Sequence, residues 1–280
     1  MRTRKPVLVT GANGFIGSRL FERLKQDGER ACALTRKCDL TRWDAVKKAF
    51  AAAAPAVVIH AAGSLLDAAQ EGYFNNVFST ANVIRAAVKY KVRRIIFLSS
   101  NMVYGRSYRI RLGDEERSSP DNWYARSKHI CERMLRDHSD AVEAIVLRLP
   151  SVLGAQKETG GLVGEMVDAL KRKDFITVHG RGRARRQFVD IRDLTGIIRR
   201  SMRCEMPKTR FLTVPVVGQA RSIRQIAETI VAVNGRGRLK FDRGRRDAPD
   251  KVAAPAILRR RLGRGLTVSL EDSIRELLNG

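Results

Sequence analysis

A glycine-spaced turn near the start constrains the fold more than any other feature. The apolar run Pro6-Val-Leu-Val-Thr10 leads into Gly11-Ala12-Asn13-Gly14-Phe15-Ile16-Gly17. Ser18 to Gln26 follows, with Leu20, Phe21 and Leu24 at helical spacing. In a strand–turn–helix unit the first glycine makes the tight turn, the second lets backbone approach a pyrophosphate, and the third lets helix and strand pack closely. The helix start offers free N–H groups and the positive end of its dipole. The turn predicts a dinucleotide site over Gly11, Asn13, Gly14, Phe15, Ile16 and Gly17.

The alternation continues. Strands are expected at Ala31–Leu34, Ala56–His60, Arg94–Ser99 and Ala144–Arg148. Helices are expected at Trp43–Ala53, Phe74–Tyr90 and Trp123–His138. This order predicts an α/β chain with a Rossmann doubly wound parallel sheet, with ligands at the strand C-terminal ends. Beyond Pro150 the alternation weakens. Helices are read at Gly160–Lys171, Ile191–Met202, Ser222–Val233 and Leu270–Leu278, with short strands at Phe211–Val214 and Leu239–Asp242. The expected division is residues 1–150 plus about 187–217 as the dinucleotide-binding domain. About 151–186 and 218–280 form a smaller C-terminal α/β substrate-binding lobe.

Composition excludes several classes. The chain has 280 residues, enough for a large core, and 44% hydrophobic with 30% charged residues excludes disorder. The four cysteines (Cys32, Cys38, Cys131, Cys204) form no CxxC pair and the four histidines no ligand-spaced cluster. These features, and the absence of an apolar run long enough to span a bilayer, point to a cytoplasmic protein with no metal site and no transmembrane segment. The net charge of +25 is unusual and attracts anions.

The second strand ends Leu34-Thr35-Arg36-Lys37. Two cations stand where a carboxylate would hold the ribose hydroxyl of NAD, so NADP(H) is favoured over NAD(H), with Arg36 toward the 2′-phosphate. Asp39 is placed to accept from the adenine amino group and Leu40 to lie beneath the ring. Further on, Tyr124-Ala-Arg-Ser-Lys128 sets a phenol and an ammonium one helical turn apart. A cation beside a phenol stabilises the phenolate and lowers its pKa toward the working range. Ser99-Ser100 ends a strand at the ligand edge, where a hydroxyl can hold a substrate oxygen.

Together, Thr10-Gly-x-x-Gly-x-x-Gly, His60-Ala61-Ala62-Gly63, Asn76, Ser99-Ser100…Tyr104-Gly105 and Tyr124-x-x-x-Lys128 resemble the extended short-chain dehydrogenases. That family includes nucleotide-sugar epimerases, dehydratases and 4-keto-reductases. The resemblance implies that Tyr124 is the acid/base, Lys128 its partner and Ser100 the substrate-orienting hydroxyl. It implies that Ala61, Ala62 and Gly63 lie along the cofactor and that Pro150 and Val152 pack by the nicotinamide. Arg186 in Arg186-Gln-Phe-Val-Asp-Ile-Arg-Asp-Leu194 would contact the sugar-nucleotide phosphates, with Arg246 as a second contact and Asn101 beside Ser100 on the substrate.

Two departures narrow the reading. The dehydratases carry an Asp-Glu pair after the catalytic Ser or Thr; this chain has Asn101-Met102, so dehydration lacks its carboxylates. The loop after the second strand is shorter than in the NAD-holding epimerases and resembles that of GDP-fucose synthase and other 4-keto-reductases. The expected function is NADPH-dependent reduction of a nucleotide-linked 4-keto-6-deoxy sugar. Two rivals are kept: an NAD-dependent 4-epimerase of the same substrates, and a basic RNA-binding protein on the same fold. Against the last, the basic runs lack interleaved aromatics, so nucleic acid is not the expected partner. The expected partners are a nucleotide-diphosphate sugar and a second copy of the chain, through the helices matching Phe74–Tyr90 and Trp123–His138.

Overall fold

The computed structural model describes residues 5–64, 71–155, 161–263 and 265–279. In chain order its elements begin β1 (Val7–Thr10), α1 (Phe15–Gln26), β2 (Ala31–Leu34), α2 (Trp43–Ala53), β3 (Val57–His60), α3 (Glu71–Lys89) and β4 (Arg94–Ser100). A 3₁₀ turn (Asn101–Tyr104), β5 (Tyr108–Ile110), α4 (Trp123–Asp137), β6 (Glu143–Leu149) and β7 (Ser151–Leu153) follow. Next come α5 (Gly161–Lys173), β8 (Phe175–His179), β9 (Arg185–Arg186), β10 (Phe188–Asp190), α6 (Ile191–Ser201) and β11 (Phe211–Pro215). The chain closes with β12 (Arg221–Ser222), α7 (Ile223–Asn234), β13 (Arg238–Asp242), β14 (Lys251–Ala253), α8 (Pro255–Leu262) and α9 (Leu270–Asn279). Gly160, where the sequence starts its fifth helix, lies outside the described residues.

The chain divides into two compact units. The first comprises residues 1–105, 116–149 and 195–215. Its six-stranded sheet runs β11-β6-β4-β3-β1-β2, with every pairing parallel. β1, β3 and β4 are buried along their whole lengths, as expected of parallel strands covered on both faces. The register sets Thr10 against His60 and His60 against Phe97. The strand order reverses between β1 and β3, which makes their C-terminal ends the binding crevice of such a sheet. Leu8, Val58, Ile95, Phe97 and Val146 join Val83, Ile84, Cys131 and Leu135 of α3 and α4 in one core. α4 starts where it does because the Asn122 side chain accepts from the Ala125 N–H at 2.9 Å, capping the helix. Phe74, Phe78, Trp123 and Ile130 on α3 and α4 remain exposed.

The second unit comprises residues 106–115, 150–194 and 216–280. Its core gathers Met166, Val167 and Leu170 of α5, Ile176 and Val178 of β8, Ile226 and Ile230 of α7, and Ile274 and Leu277 of α9. α7 opens with a capping box: Ser222 Oγ accepts from Gln225 N–H, and Gln225 Oε1 accepts from Ser222 N–H. This division differs from the expected one in two places. Residues 106–115 belong to the second unit because β5 pairs with β14. Residues 187–194 do as well, because β10 pairs with β7 and Asp193 accepts from the Thr267 and Val268 N–H groups. Among the described residues, no helix is long and apolar enough to cross a membrane.

Candidate active site

The glycine turn is a close-packed corner. Gly11 has φ +67, and a Cβ there would stand 2.7 Å from the Ala62 nitrogen. A Cβ on Gly17 would overlap the Gly11 carbonyl oxygen. Gly14 caps α1 without any side-chain hydrogen bond, and the first turn holds no acidic residue. The leading N–H groups of α1 are therefore left to a ligand or solvent, and the positive end of the helix dipole faces no carboxylate of its own first turn. These features fit an incoming pyrophosphate.

A buried polar chain ties this corner to the rest of the sheet. The Ala62 N–H donates to Thr10 Oγ1 at 3.2 Å, and Thr10 Oγ1 lies within hydrogen-bond distance of His60 Nδ1, at 2.7 Å. On the other side Thr80 Oγ1 donates to the Asn76 carbonyl at 2.8 Å, so it accepts from His60 Nε2–H at 3.1 Å. The set closes with a neutral imidazole carrying its proton on Nε2. Burial, and secondarily the Lys128 charge, push the His60 pKa down to about 3, which keeps that state.

Asn76 continues the network. Its Oδ1 accepts from the Ser64 N–H at 2.8 Å, and its Nδ2 donates to the Ser64 carbonyl and to Ser127 Oγ at 3.1 and 3.0 Å. Ser127 Oγ in turn donates to the Tyr124 carbonyl at 2.8 Å. Lys128 is buried, donates to the Leu98 carbonyl at 2.9 Å and sits 4.7 Å over the Phe97 ring. A methyl group on Gly63 would stand 3.0 Å from its ammonium. The ends of β3, β4 and α4 thus bring Ala62, Gly63, Ser100, Tyr124 and Lys128 together.

Tyr124 and Ser100 are hydrogen-bonded through their hydroxyls, and Ser100 Oγ also accepts from the Met102 N–H at 3.1 Å. The expected lowering of the phenol by its lysine is not what the environment produces. Burial dominates and pushes Tyr124 up to about 12, with the Ser100 hydrogen bond pulling against it. Burial also lowers Lys128, whose ammonium is engaged by Leu98 and Phe97, 5.9 Å from the centre of the Tyr124 ring. Beyond Lys128, one turn on, Glu132 takes a bidentate pair from Arg148 at 3.1 and 2.6 Å and a short hydrogen bond from Ser99. Both charged side chains of that pair are buried.

The remaining expected residues are placed as follows. Arg36 and Lys37 are exposed at the end of β2. Asp39 directs Oδ1 at the Thr41 N–H and hydroxyl, at 2.9 and 2.7 Å, and Leu40 is in the core rather than open to a ring. Asn101 is buried and neither atom of its amide has a hydrogen-bond partner among the described residues. Pro150 and Val152 fall in the second unit, where Val152 pairs with Val189. Arg186 Nη1 donates to the carbonyls of Arg185 and Pro249 at 2.9 and 2.8 Å, so that edge of its guanidinium is already used. Arg246 lines a cavity of about 470 Å³ with Arg245 and the apolar Leu162, Met166, Phe175 and Ile176.

Residues 7–209 match the model of the NAD-dependent epimerase/dehydratase family. The chain belongs to this family. Among its similar members is a GDP-6-deoxy-D-talose 4-dehydrogenase of Aggregatibacter actinomycetemcomitans, 27% identical over 69% of each chain. A UDP-glucose 4-epimerase of Azospirillum brasilense is 24% identical over 92% of this chain and 86% of its own. Among solved structures, the UDP-glucose 4-epimerase of Thermotoga maritima, crystallised with UDP-glucose, superposes with a TM-score of 0.84 at 19% identity. That match covers 98% of this chain and 97% of the other. The Bordetella bronchiseptica enzyme WbmG, in complex with NAD and UDP, gives 0.84 at 23% identity over 99% and 94%. These likenesses show that the epimerase/dehydratase fold extends over both units of this chain.

Sequence reasoning about this member of the family missed Thr80, Ser127 and Glu132. A signal for Glu132 was present: Tyr124, Lys128 and Glu132 are spaced by four and share one helix face. Thr80 and Ser127 each donate to a carbonyl one helical turn back, and their other partners, His60 and Asn76, lie 20 and 51 residues away, so no local pattern marks them.

Proposed function

We propose that the protein is an NADP(H)-dependent 4-keto-reductase of a nucleotide-diphosphate-linked 6-deoxy sugar. The observation that carries this is the geometry at Tyr124: its hydroxyl is hydrogen-bonded to Ser100 with Lys128 one helical turn on, so phenol and serine are placed on one carbonyl oxygen. A nicotinamide dinucleotide bound there would supply the hydride for C4 of the sugar. Tyr124 gives its hydroxyl proton to the C4 oxygen, Ser100 fixes that oxygen by a hydrogen bond, and the phenolate left behind is reprotonated from solvent. Lys128 stands beside Tyr124 as the compensating cation. The glycine turn Gly11–Gly17 and Ala61–Gly63 hold the dinucleotide, and exposed Arg36 and Lys37 favour its 2′-phosphate form.

The apolar lining of the 470 Å³ cavity suits a nucleobase, and Arg246 at the same cavity suits the diphosphate. The relative that acts as a 4-dehydrogenase on GDP-6-deoxy-D-talose supports a 6-deoxy sugar oxidised or reduced at that carbon. A homodimer through α3 and α4 would cover the exposed Phe74, Phe78 and Trp123.

A 4-epimerase is the second reading, favoured by relatives that are UDP-sugar 4-epimerases and by structural neighbours in complex with NAD. The test is to purify the protein without added cofactor, denature it, identify any released dinucleotide by mass spectrometry, and titrate the native protein with NADPH and NADH. The reductase is expected to release none, to bind NADPH better, and to consume it with a 4-keto sugar nucleotide. Stoichiometric NAD, with interconversion of C4 epimers and no net cofactor consumption, would replace it with the epimerase.

A further inference from the structure

The second unit holds a larger cavity, about 840 Å³, that shares no lining residue with the one assigned above. Five arginines line it: Arg181, Arg183, Arg185, Arg224 and Arg243. Glu228 on the same wall takes Arg224 at 2.7 Å, and Arg185 donates to the Ala220 carbonyl at 3.3 Å. The guanidinium groups of Arg181, Arg183 and Arg243 have no acceptor among the described residues. With Glu228 taken by Arg224, the like charges of Arg181, Arg183 and Arg243 raise the energy of the empty groove and lower it for an anion.

The groove is built rather than incidental. In Gly180-Arg-Gly-Arg-Ala-Arg185 the small residues Gly182 and Ala184 are buried and the three arginines exposed. Asp247 Oδ1 accepts from the Arg181 and Arg183 N–H groups at 3.1 and 3.0 Å, which fixes the loop. Gly180 and Gly182 have φ +64 and +66, and a Cβ on either would fall within 2.8 Å of Asp247 N or Val178 Cγ1. Only a glycine-interrupted sequence can hold the arginines in this curve.

Phe241 from β13 lines the same groove, 38% exposed, with the Arg224 guanidinium 5.6 Å from its ring centre. An aromatic face among cations has no use for an inorganic polyanion but stacks a base. With a single ring, the groove has a platform for one base, and its volume is that of a small-molecule site. We propose that this groove is a second nucleotide site, binding a nucleoside polyphosphate with its base on Phe241 and its phosphates on Arg181, Arg183 and Arg243. It shares no lining residue with the cavity at Arg246.

The test is calorimetric titration with ATP, inorganic tripolyphosphate and a twelve-nucleotide oligouridylate. The dinucleotide site is first saturated with whichever of NADPH or NADH binds. ATP is expected to bind the wild type. Phe241→Ala should weaken ATP about 10-fold or more while leaving tripolyphosphate unchanged. The double variant Arg183→Ala/Arg243→Ala should weaken both roughly 100-fold. Arg246→Ala should leave ATP binding intact, and retained dinucleotide binding checks that each variant folds. Absence of ATP binding overturns the proposal, as does loss of it on Arg246→Ala. Tripolyphosphate binding as tight as ATP with no effect of Phe241→Ala would reduce the groove to an anion trap. Much tighter, steeply salt-dependent oligouridylate binding would make it a nucleic-acid surface instead.

Discussion

The half-buried Tyr124 phenol loses more from burial than it gains from its hydrogen bond to Ser100, and rises to about 12 for that reason. A proton donor with so high a pKa stays charged with its proton across the neutral range. The rate of carbonyl reduction should therefore hold level from pH 6 to 9, measured as kcat at saturating cofactor, and fall only as the pH nears the phenol's own pKa. Tyr124→Phe should bind dinucleotide normally and lose at least about 100-fold in kcat, the usual scale for a positioned acid. His60 makes the opposite kind of statement. Its folded pKa, about 3, lies far below the unfolded 6.5, so the stability it contributes is present above 6.5 and drains as pH falls toward 3. Denaturant titrations should show a slope from this group of up to about 1.4 kcal/mol per pH unit in that window. His60→Gln should be less stable at pH 7 yet shallower by about one proton. The Tyr124/Lys128 pair was legible because four-residue spacing marks a helix face. Its pKa was not, because burial by β4 and the 3₁₀ turn is set by distant chain.

At the scale of elements, the strand and helix alternation through β6 was readable because parallel strands buried on both faces are continuous apolar runs. The three-residue pairs β5–β14 and β7–β10 were not, since three residues carry no period. α8 was missed although its ends are marked, with Pro255 at its start and Gly263 in left-handed conformation at its end. Its three consecutive arginines mask the apolar spacing of Ile257, Leu258 and Leu262. The glycine turn was legible down to single atoms. Gly17→Ala must displace the Gly11 carbonyl and with it the start of α1. It should abolish dinucleotide binding by fluorescence titration while circular dichroism at 25 °C stays near wild type. Gly28→Ala, where nothing lies within 4 Å but φ is +71, should cost stability alone.

For the whole molecule, the sequence reported the +25 charge but not where it would be used. Five of its arginines meet around the 840 Å³ groove from chain segments about 20 to 60 residues apart, and the aromatic partner arrives on β13, flanked by Lys240 and Arg243. The chain's interleaving has another outcome. The sheet order places β11 beside β6, yet about 60 residues separate Leu149 from Phe211. On a ribosome moving at roughly 5–20 residues per second, the open edge of β6 waits on the order of 3–12 s for its neighbour to be made. During that interval the nascent chain presents a buried-type, apolar strand edge, a template for pairing with another copy. A chain ended at residue 210 should be insoluble, and one ended at residue 220 measurably less so, by sedimentation of freshly translated protein. Speed of translation across residues 150–210 would then set the yield of native enzyme, through the timing of one strand's arrival.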